Sequence, residues 1–134
     1  MPSDVALRSK VREFMWASEG TFMVHGLAIW KFRPAVPAKM KASKAIAEIE
    51  RTLSTPVKEG FEWLTKELQK GNGKYLVGSS VTVADCMLSF SCQFIIAQEL
   101  GVKAGDYPVV EKWLRNLEAG EVYKRAEKKS GHHL

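Results

Sequence analysis

The sequence predicts an all-α fold, a bundle of about five or six helices. Apolar residues recur three or four positions apart through most of the 134 residues, which is the spacing of one helix face. No long segment alternates apolar and polar residues, as a half-buried strand would. Breaker clusters such as RPAVP at 33–37 and GNG at 71–73 divide the chain into segments of helical length.

Length and composition fit one globular domain spanning residues 1–134. The chain is 46% apolar and 26% charged, a balance typical of chains that bury a core. Its apolar runs are far shorter than the roughly 20 residues that cross a bilayer, and Met-Pro-Ser-Asp lacks the features of a signal peptide. We therefore expect a cytoplasmic protein without membrane contact.

Charge and cysteine usage indicate neither a nucleic-acid site nor a metal site. The net charge is +5, and much of the excess lies in VYKRAEKKSGHHL at the C-terminus. This run lacks interleaved aromatic residues, so we expect a solvated helix end. Cys86 and Cys92 point in different directions on one helix, at about 100° per residue. We expect reduced, buried thiols and no metal.

The first helix is predicted from Ser3 or Asp4, either of which can cap it, to about Trp30. One face is apolar at helical spacing and is expected to pack in the core, with Gly20 allowing close approach of a neighbouring helix. The residues of this predicted core stripe are Trp16, Gly20, Met23, Leu27 and Trp30.

The opposite face of the same helix carries Phe14, Ser18, Thr21 and His25. It mixes an aromatic ring with small hydrogen-bonding groups. Spacing alone leaves three roles open for this face: bordering a cleft, meeting water, or packing with its polar groups satisfied.

A second helical region is predicted from about Ala38 to Lys70, with a kink or restart at Pro56, which lacks an amide proton. Thr55 would suit the cap of such a restart. After the proline, one stripe is apolar: Val57, Phe61, Leu64 and Leu68.

The next helix begins with a predicted reciprocal cap. Thr82 is placed to accept from the amide of Asp85, and the Asp85 carboxylate to accept from the amide of Thr82. The segment from Cys86 to Ala97 carries no charge, so we expect it to be central, ending at Gly101. A further helix opens at Pro108, and a short one follows around 122–126. The apolar side predicted for the Pro108 helix is Val110, Trp113, Leu114 and Leu117.

Three motifs in the same order resemble those of cytosolic glutathione transferases. They are the turn at 75–78 (YLVG), the cap at 82–85 (TVAD) and the Tyr-Pro at 107–108 followed by Trp113. The segment EFMWASEGTFMVHGLAI is similar to fungal members. The resemblance is to the C-terminal helical domain of that family, and it covers essentially the whole chain.

Members of this family begin with a thioredoxin-like domain that binds glutathione and activates its thiol. No such region is recognisable here; Val36-Pro37 followed by KASKAI only faintly resembles that domain's glutathione-binding motif. The resemblance therefore assigns no catalytic residue to this chain. We expect either a portion of a longer transferase or a natural short protein with another use.

The resemblance implies that the helical domain provides the apolar wall for an electrophile, with occasional polar contacts to glutathione. It implies glutathione as co-substrate when the missing domain is supplied, no tightly bound cofactor, a homodimer, and a detoxification role. Thr82 and Asp85 would be folding residues. The substrate-binding residues expected on the first helix are Phe14, Met15, Ser18, Thr21, Phe22 and His25.

Three functions stay open at this point. The leading hypothesis is an electrophile-binding domain that conjugates glutathione only together with a thioredoxin-like domain, so that the isolated chain is inactive. The alternative is a non-catalytic association module, like those in translation elongation factor or aminoacyl-tRNA synthetase complexes. A third possibility is a small-molecule binder or isomerase that uses an apolar cleft alone.

Overall fold

The computed structural model describes residues 1–71 and 73–131, and all regular secondary structure in that part of the chain is helical. The elements are α1 (Val5–Ala17), the π segment (Ser18–Met23), α2 (Val24–Ala35), a 3-10 turn (Ala38–Met40), α3 (Lys44–Lys70), α4 (Val83–Ala97), α5 (Pro108–Glu118) and α6 (Glu121–Ser130). Because α1, the π segment and α2 follow one another directly, they form one rod, and the described residues form a bundle of five rods. This confirms the predicted all-α fold.

Helix α4 is central, packing against α1, the π segment and α5, while α3 contacts α2, the π segment and α5. The stripes predicted for α3 and α5 are buried, as expected. Within the described residues no helix combines the length and the apolarity that crossing a membrane requires. The largest fully buried side chains include Trp113, Phe14, Phe22 and Phe61.

Several helix boundaries differ from the prediction. Helix α2 continues through Pro34, and α3 begins at Lys44, where the Ser43 hydroxyl accepts from an amide of the first turn at 3.3 Å. Helix α3 passes Pro56 without ending, because buried residues before and after the proline anchor both parts of the helix to the core. Helix α4 ends at Ala97 and not at Gly101.

The predicted core stripe of the first helix is wrong. Trp16 is 77% exposed and Trp30 is 48% exposed. Both faces of this helix carry large apolar residues. The spacing of apolar residues therefore identifies two candidate faces but does not indicate which of them packs in the core. The residues that are buried instead are Val11, Phe14, Ser18, Phe22, Gly26 and Ile29.

The π segment explains how this buried face stays continuous. From Phe14 through Ser18 and Phe22 to Gly26 the buried positions are four apart. In an α-helix each step of four residues drifts by about 40°. The wider i to i+5 turn of a π segment takes up part of that drift. The π geometry thereby keeps these residues facing α4 and α3.

Close helix approach occurs at Gly26, not at the predicted Gly20. A Cβ added at Gly26 would lie 2.9 Å from Cγ1 of the buried Ile95 on α4, whereas a Cβ at Gly20 would meet nothing within 4 Å. Of these two glycines, only Gly26 therefore needs to lack a side chain for packing reasons.

The carboxylate of Asp85 is fully buried and joins three segments. The reciprocal cap with Thr82 is formed, with the Thr82 amide at 2.8 Å and the Thr82 hydroxyl at 2.9 Å both donating to Oδ2. Oδ1 accepts from the amide of Leu76 at 2.9 Å and from Nε1 of Trp113 at 3.3 Å. One side chain thus fixes the 75–78 turn, the start of α4 and the core side of α5.

The two glycines give a matched stability test. Gly26→Ala should lower the free energy of unfolding by about 1–3 kcal/mol, because Ile95 has no room to move. Gly20→Ala should leave it unchanged or raise it by up to about 1 kcal/mol. Urea unfolding followed by tryptophan fluorescence measures both. Equal stability of Gly26→Ala and the parent would contradict the close packing of α2 on α4.

Asp85→Asn should destabilise the fold by about 2–5 kcal/mol, since an amide nitrogen in place of one oxygen faces donors and leaves them unpaired. Thr82→Ser keeps the capping hydroxyl and should cost less than about 1 kcal/mol. Chemical unfolding of both variants gives the comparison. An Asp85→Asn protein as stable as Thr82→Ser would show that the four hydrogen bonds contribute little.

Candidate functional site

Three of the six residues expected to bind substrate lie inside the core. Phe14, Ser18 and Phe22 are at most 1% exposed. The rings of Phe14 and Phe22 pack against aromatic rings of α3, with centroids 5.3 and 5.4 Å apart, and the Ser18 hydroxyl lies 2.9 Å from that of Ser91. These side chains give no surface to a ligand in this conformation, because they form the contact of the first rod with α3 and α4.

The other three, Met15, Thr21 and His25, are half-buried and remain accessible. Met15 packs against the edge of the core. Thr21 faces α3, where a Cβ added at Gly60 would lie 3.4 Å from its methyl group. The six predicted residues therefore divide into two groups. Phe14, Ser18 and Phe22 support the fold, whereas Met15, Thr21 and His25 border solvent.

A cavity of about 290 Å³ lies elsewhere, between α4, the end of α5, and α6. None of the six predicted residues lines this α4–α6 cavity. Its lining is mostly apolar and includes the rings of Tyr75, Phe90 and Tyr123, with Leu117 and Val122 at the side of α5 and α6. For this region the sequence predicted a short helix around 122–126 and no partner surface.

Helix α6 is held beside α4 by a polar bridge. Nε2 of Gln93 on α4 donates to Oε1 of Glu118 at 2.7 Å and to the hydroxyl oxygen of Tyr123 at 3.4 Å. Gly120 caps α6 in an extended conformation, and none of the residues of α6 is buried. The apolar side of α6 thus borders an open space and does not fill it.

The electrostatics of the cavity are neutral to acidic. Among the described residues that line it, none is lysine, arginine or histidine, and Asp85 and Glu127 are acidic. The Asp85 carboxylate already receives four hydrogen bonds. This lining suits an uncharged, largely apolar molecule.

The two thiols differ in exposure. Cys92 is buried, as expected, but Cys86 is exposed at the cavity wall, and neither is paired. Burial, and then the negative charge of Asp85, raise the pKa of the Cys86 thiol. Burial alone raises the pKa of Cys92. Both are therefore protonated at neutral pH, so they are weak nucleophiles.

Comparison with known proteins agrees with this architecture. Residues 26–121 match the family model described as glutathione S-transferase, C-terminal domain. Glutathione S-transferase 1 of Saccharomyces cerevisiae is 30% identical over 95 residues, which cover 70% of this chain and 40% of the yeast protein.

A solved structure of a glutathione S-transferase from Actinobacillus pleuropneumoniae shares the fold. It superposes with a TM-score of 0.74 at 21% identity, over 100% of this chain and 55% of the bacterial one. This chain thus spans only about half of the length of these proteins. The family match, the yeast relative and the shared fold agree, and the chain belongs to the family of glutathione S-transferase C-terminal domains.

Proposed function

We propose that this chain is the electrophile-binding half of a cytoplasmic glutathione transferase. In this proposal it conjugates glutathione to small apolar electrophiles only when a thioredoxin-like domain is joined to it. The observation that carries the proposal is the family match. The chain covers only 40% of the yeast transferase and 55% of the bacterial one, which leaves room for a second domain. The electrophile would lie beside the positions of Met15, Thr21 and His25.

The chemistry explains why the helical half needs a partner. Conjugation requires the glutathione thiol as a thiolate, which attacks an electrophilic carbon and displaces a leaving group while the thiol proton passes to a base or to solvent. A thiol has an ordinary pKa of about 8.5, so it needs a stabilising group to react at neutral pH. The proposal assigns that group to the other domain.

An exposed apolar stripe supports the presence of a covering partner. We define this stripe by Trp16, Met23, Leu27 and Trp30 of the first rod, continued onto α4 by Phe94, whose ring meets that of Trp30 edge-on at 6.3 Å. Phe90 lies one turn earlier on α4 and is 48% exposed. Contiguous exposed aromatic surface of this kind marks an interaction site.

The same stripe also favours the second candidate, a non-catalytic association module. Its three tryptophan and phenylalanine rings could dock another protein without any conjugation, and α6 adds the cationic residues Lys124, Arg125, Lys128 and Lys129. Capture of a translation factor by the isolated chain, together with inactivity of a two-domain fusion, would favour this candidate over the transferase.

The isolated chain should conjugate glutathione to a model aryl halide no faster than the uncatalysed reaction. A fusion of this chain to the N-terminal part of the yeast relative should show turnover, because it supplies thiol activation. Absorbance of the aryl conjugate measures both, with the whole yeast protein as positive control. Turnover by the isolated chain would overturn the division of labour that we propose.

Without a covering domain, the stripe should drive association of the isolated chain, as in the homodimer that we propose. Trp16→Glu should shift the protein towards monomer, since it places a charge in the contact. Val5→Glu is the matched control, because Val5 is similarly exposed, at 70%, and lies outside the stripe. Sedimentation velocity over a range of concentrations distinguishes them. Identical behaviour of the two variants would exclude the stripe as the contact.

A further inference from the structure

We propose that the α4–α6 cavity is a binding site for a neutral, flat aromatic molecule of about two fused rings that carries one hydrogen-bond donor. The helical chain would bind this molecule by itself, without glutathione and without a second domain. The proposal concerns a different surface from the Met15, Thr21 and His25 positions, none of which lines the cavity.

The volume sets the size of the ligand. An apolar protein cavity of about 150 Å³ holds one benzene ring. The α4–α6 cavity has about 290 Å³, close to twice that space. A molecule with two fused rings therefore matches this volume better than a single ring does.

The shape and chemistry of the wall favour an aromatic ligand. Tyr75, Phe90 and Tyr123 contribute rings from the 75–78 turn, α4 and α6, and Val81 and Leu117 add aliphatic surface. Aromatic rings attract one another in offset and edge-to-face arrangements. Rings from three separate elements offer such contacts to the faces and the edges of a flat molecule.

Gln93 supplies the polar contact. The Glu118 carboxylate only accepts hydrogen bonds, so the Gln93 amide nitrogen must face it, and the side-chain orientation is fixed by that partner. No group of the described residues donates to the Gln93 carbonyl oxygen. This oxygen is therefore available to accept from a hydroxyl or N–H group of the ligand.

The charge of the described lining residues disfavours anions. The cavity-lining residues of the described chain include no cationic side chain, and they include the carboxylates of Asp85 and Glu127. A sulfonate or carboxylate on the ligand would lose its hydration without gaining a counter-charge. Glutathione, which carries two carboxylates, is disfavoured for the same reason, so this site is not a second place for the co-substrate.

Cys86 provides a built-in reporter for occupancy. Its thiol belongs to the cavity wall and is exposed, whereas Cys92 is fully buried. A ligand that fills the cavity shields Cys86 from a small alkylating reagent. Cys92 gives the internal control, because alkylation there requires opening of the core.

The test is alkylation of the 134-residue chain by N-ethylmaleimide at neutral pH, followed by mass spectrometry of the Cys86 peptide. The ligands are 2-naphthol, which is neutral, and naphthalene-2-sulfonate, which has the same rings and a negative charge. At a naphthol concentration of ten times Kd the Cys86 rate should fall by about tenfold. The sulfonate at the same concentration should leave the rate essentially unchanged.

Either of two results would overturn the proposal: no slowing of Cys86 alkylation by 2-naphthol up to its solubility limit, or equal protection by the sulfonate. The first would mean that the cavity is not occupied, and the second that hydrophobicity alone directs binding. Neither result affects the conjugation assay of a two-domain fusion, so the failure of this proposal is separable from failure of the transferase function.

Gln93→Leu removes the proposed acceptor together with the bridge to Glu118 and Tyr123. It should raise the Kd of 2-naphthol by about tenfold more than that of naphthalene, because loss of the bridge affects both ligands and loss of the acceptor affects 2-naphthol alone. Gln98→Leu is the matched control, since this exposed residue of the same helix region does not line the cavity. Unchanged naphthol affinity in Gln93→Leu would remove Gln93 from the site. Thermal unfolding of each variant checks that the fold is intact.

Discussion

The buried carboxylate of Asp85 is the interaction on which the rest of this structure depends. Burying a single charge costs several kcal/mol unless polar partners replace water. Here four donors do so, and they come from the 75–78 turn, the start of α4 and the indole of Trp113. Because these donors lie 3, 9 and 28 residues from Asp85 in sequence, the carboxylate is satisfied only when the turn, α4 and α5 are all in place. The cap therefore couples the start of one helix to the assembly of the core.

Once α4 is fixed in this way, its two sides acquire different roles. The side with Ile95 packs closely against the first rod, so that a Cβ at position 26 would lie 2.9 Å from Cγ1 of Ile95. The side with Cys86, Phe90 and Gln93 faces α6 and the end of α5, and Gln93 bridges to Glu118 of α5 and to Tyr123 of α6. The α4–α6 cavity lies beside this polar bridge, and both Gln93 and Tyr123 line it.

A structural feature could be predicted from the sequence when it depends on residues that lie close together in the chain. The pairing of Thr82 with Asp85 is readable because it joins residues three apart, and the stripes of α3 and α5 are readable because only one face of each helix is apolar. The first rod has two apolar faces, so spacing could not tell that Phe14 and Phe22 lie inside and Trp16 outside. The cavity was not predictable, since its walls meet only through contacts such as Gln93 to Tyr123, which are 30 residues apart.

Phe90 lies between the α4–α6 cavity and the exposed stripe, the two surfaces on which the proposed roles depend. Its ring lines the α4–α6 cavity, and it lies one turn from Phe94, which continues the exposed stripe. A domain that covers the stripe as far as Phe90 would also form part of the wall around a ligand in the cavity. If docking of the domain changes the position or exposure of Phe90, the two binding equilibria are linked. The linkage is reciprocal: the factor by which the ligand changes the affinity for the domain equals the factor by which the domain changes the affinity for the ligand. The aromatic site would then report whether the helical half is joined to its partner, because Phe90 cannot be repositioned for one without affecting the other.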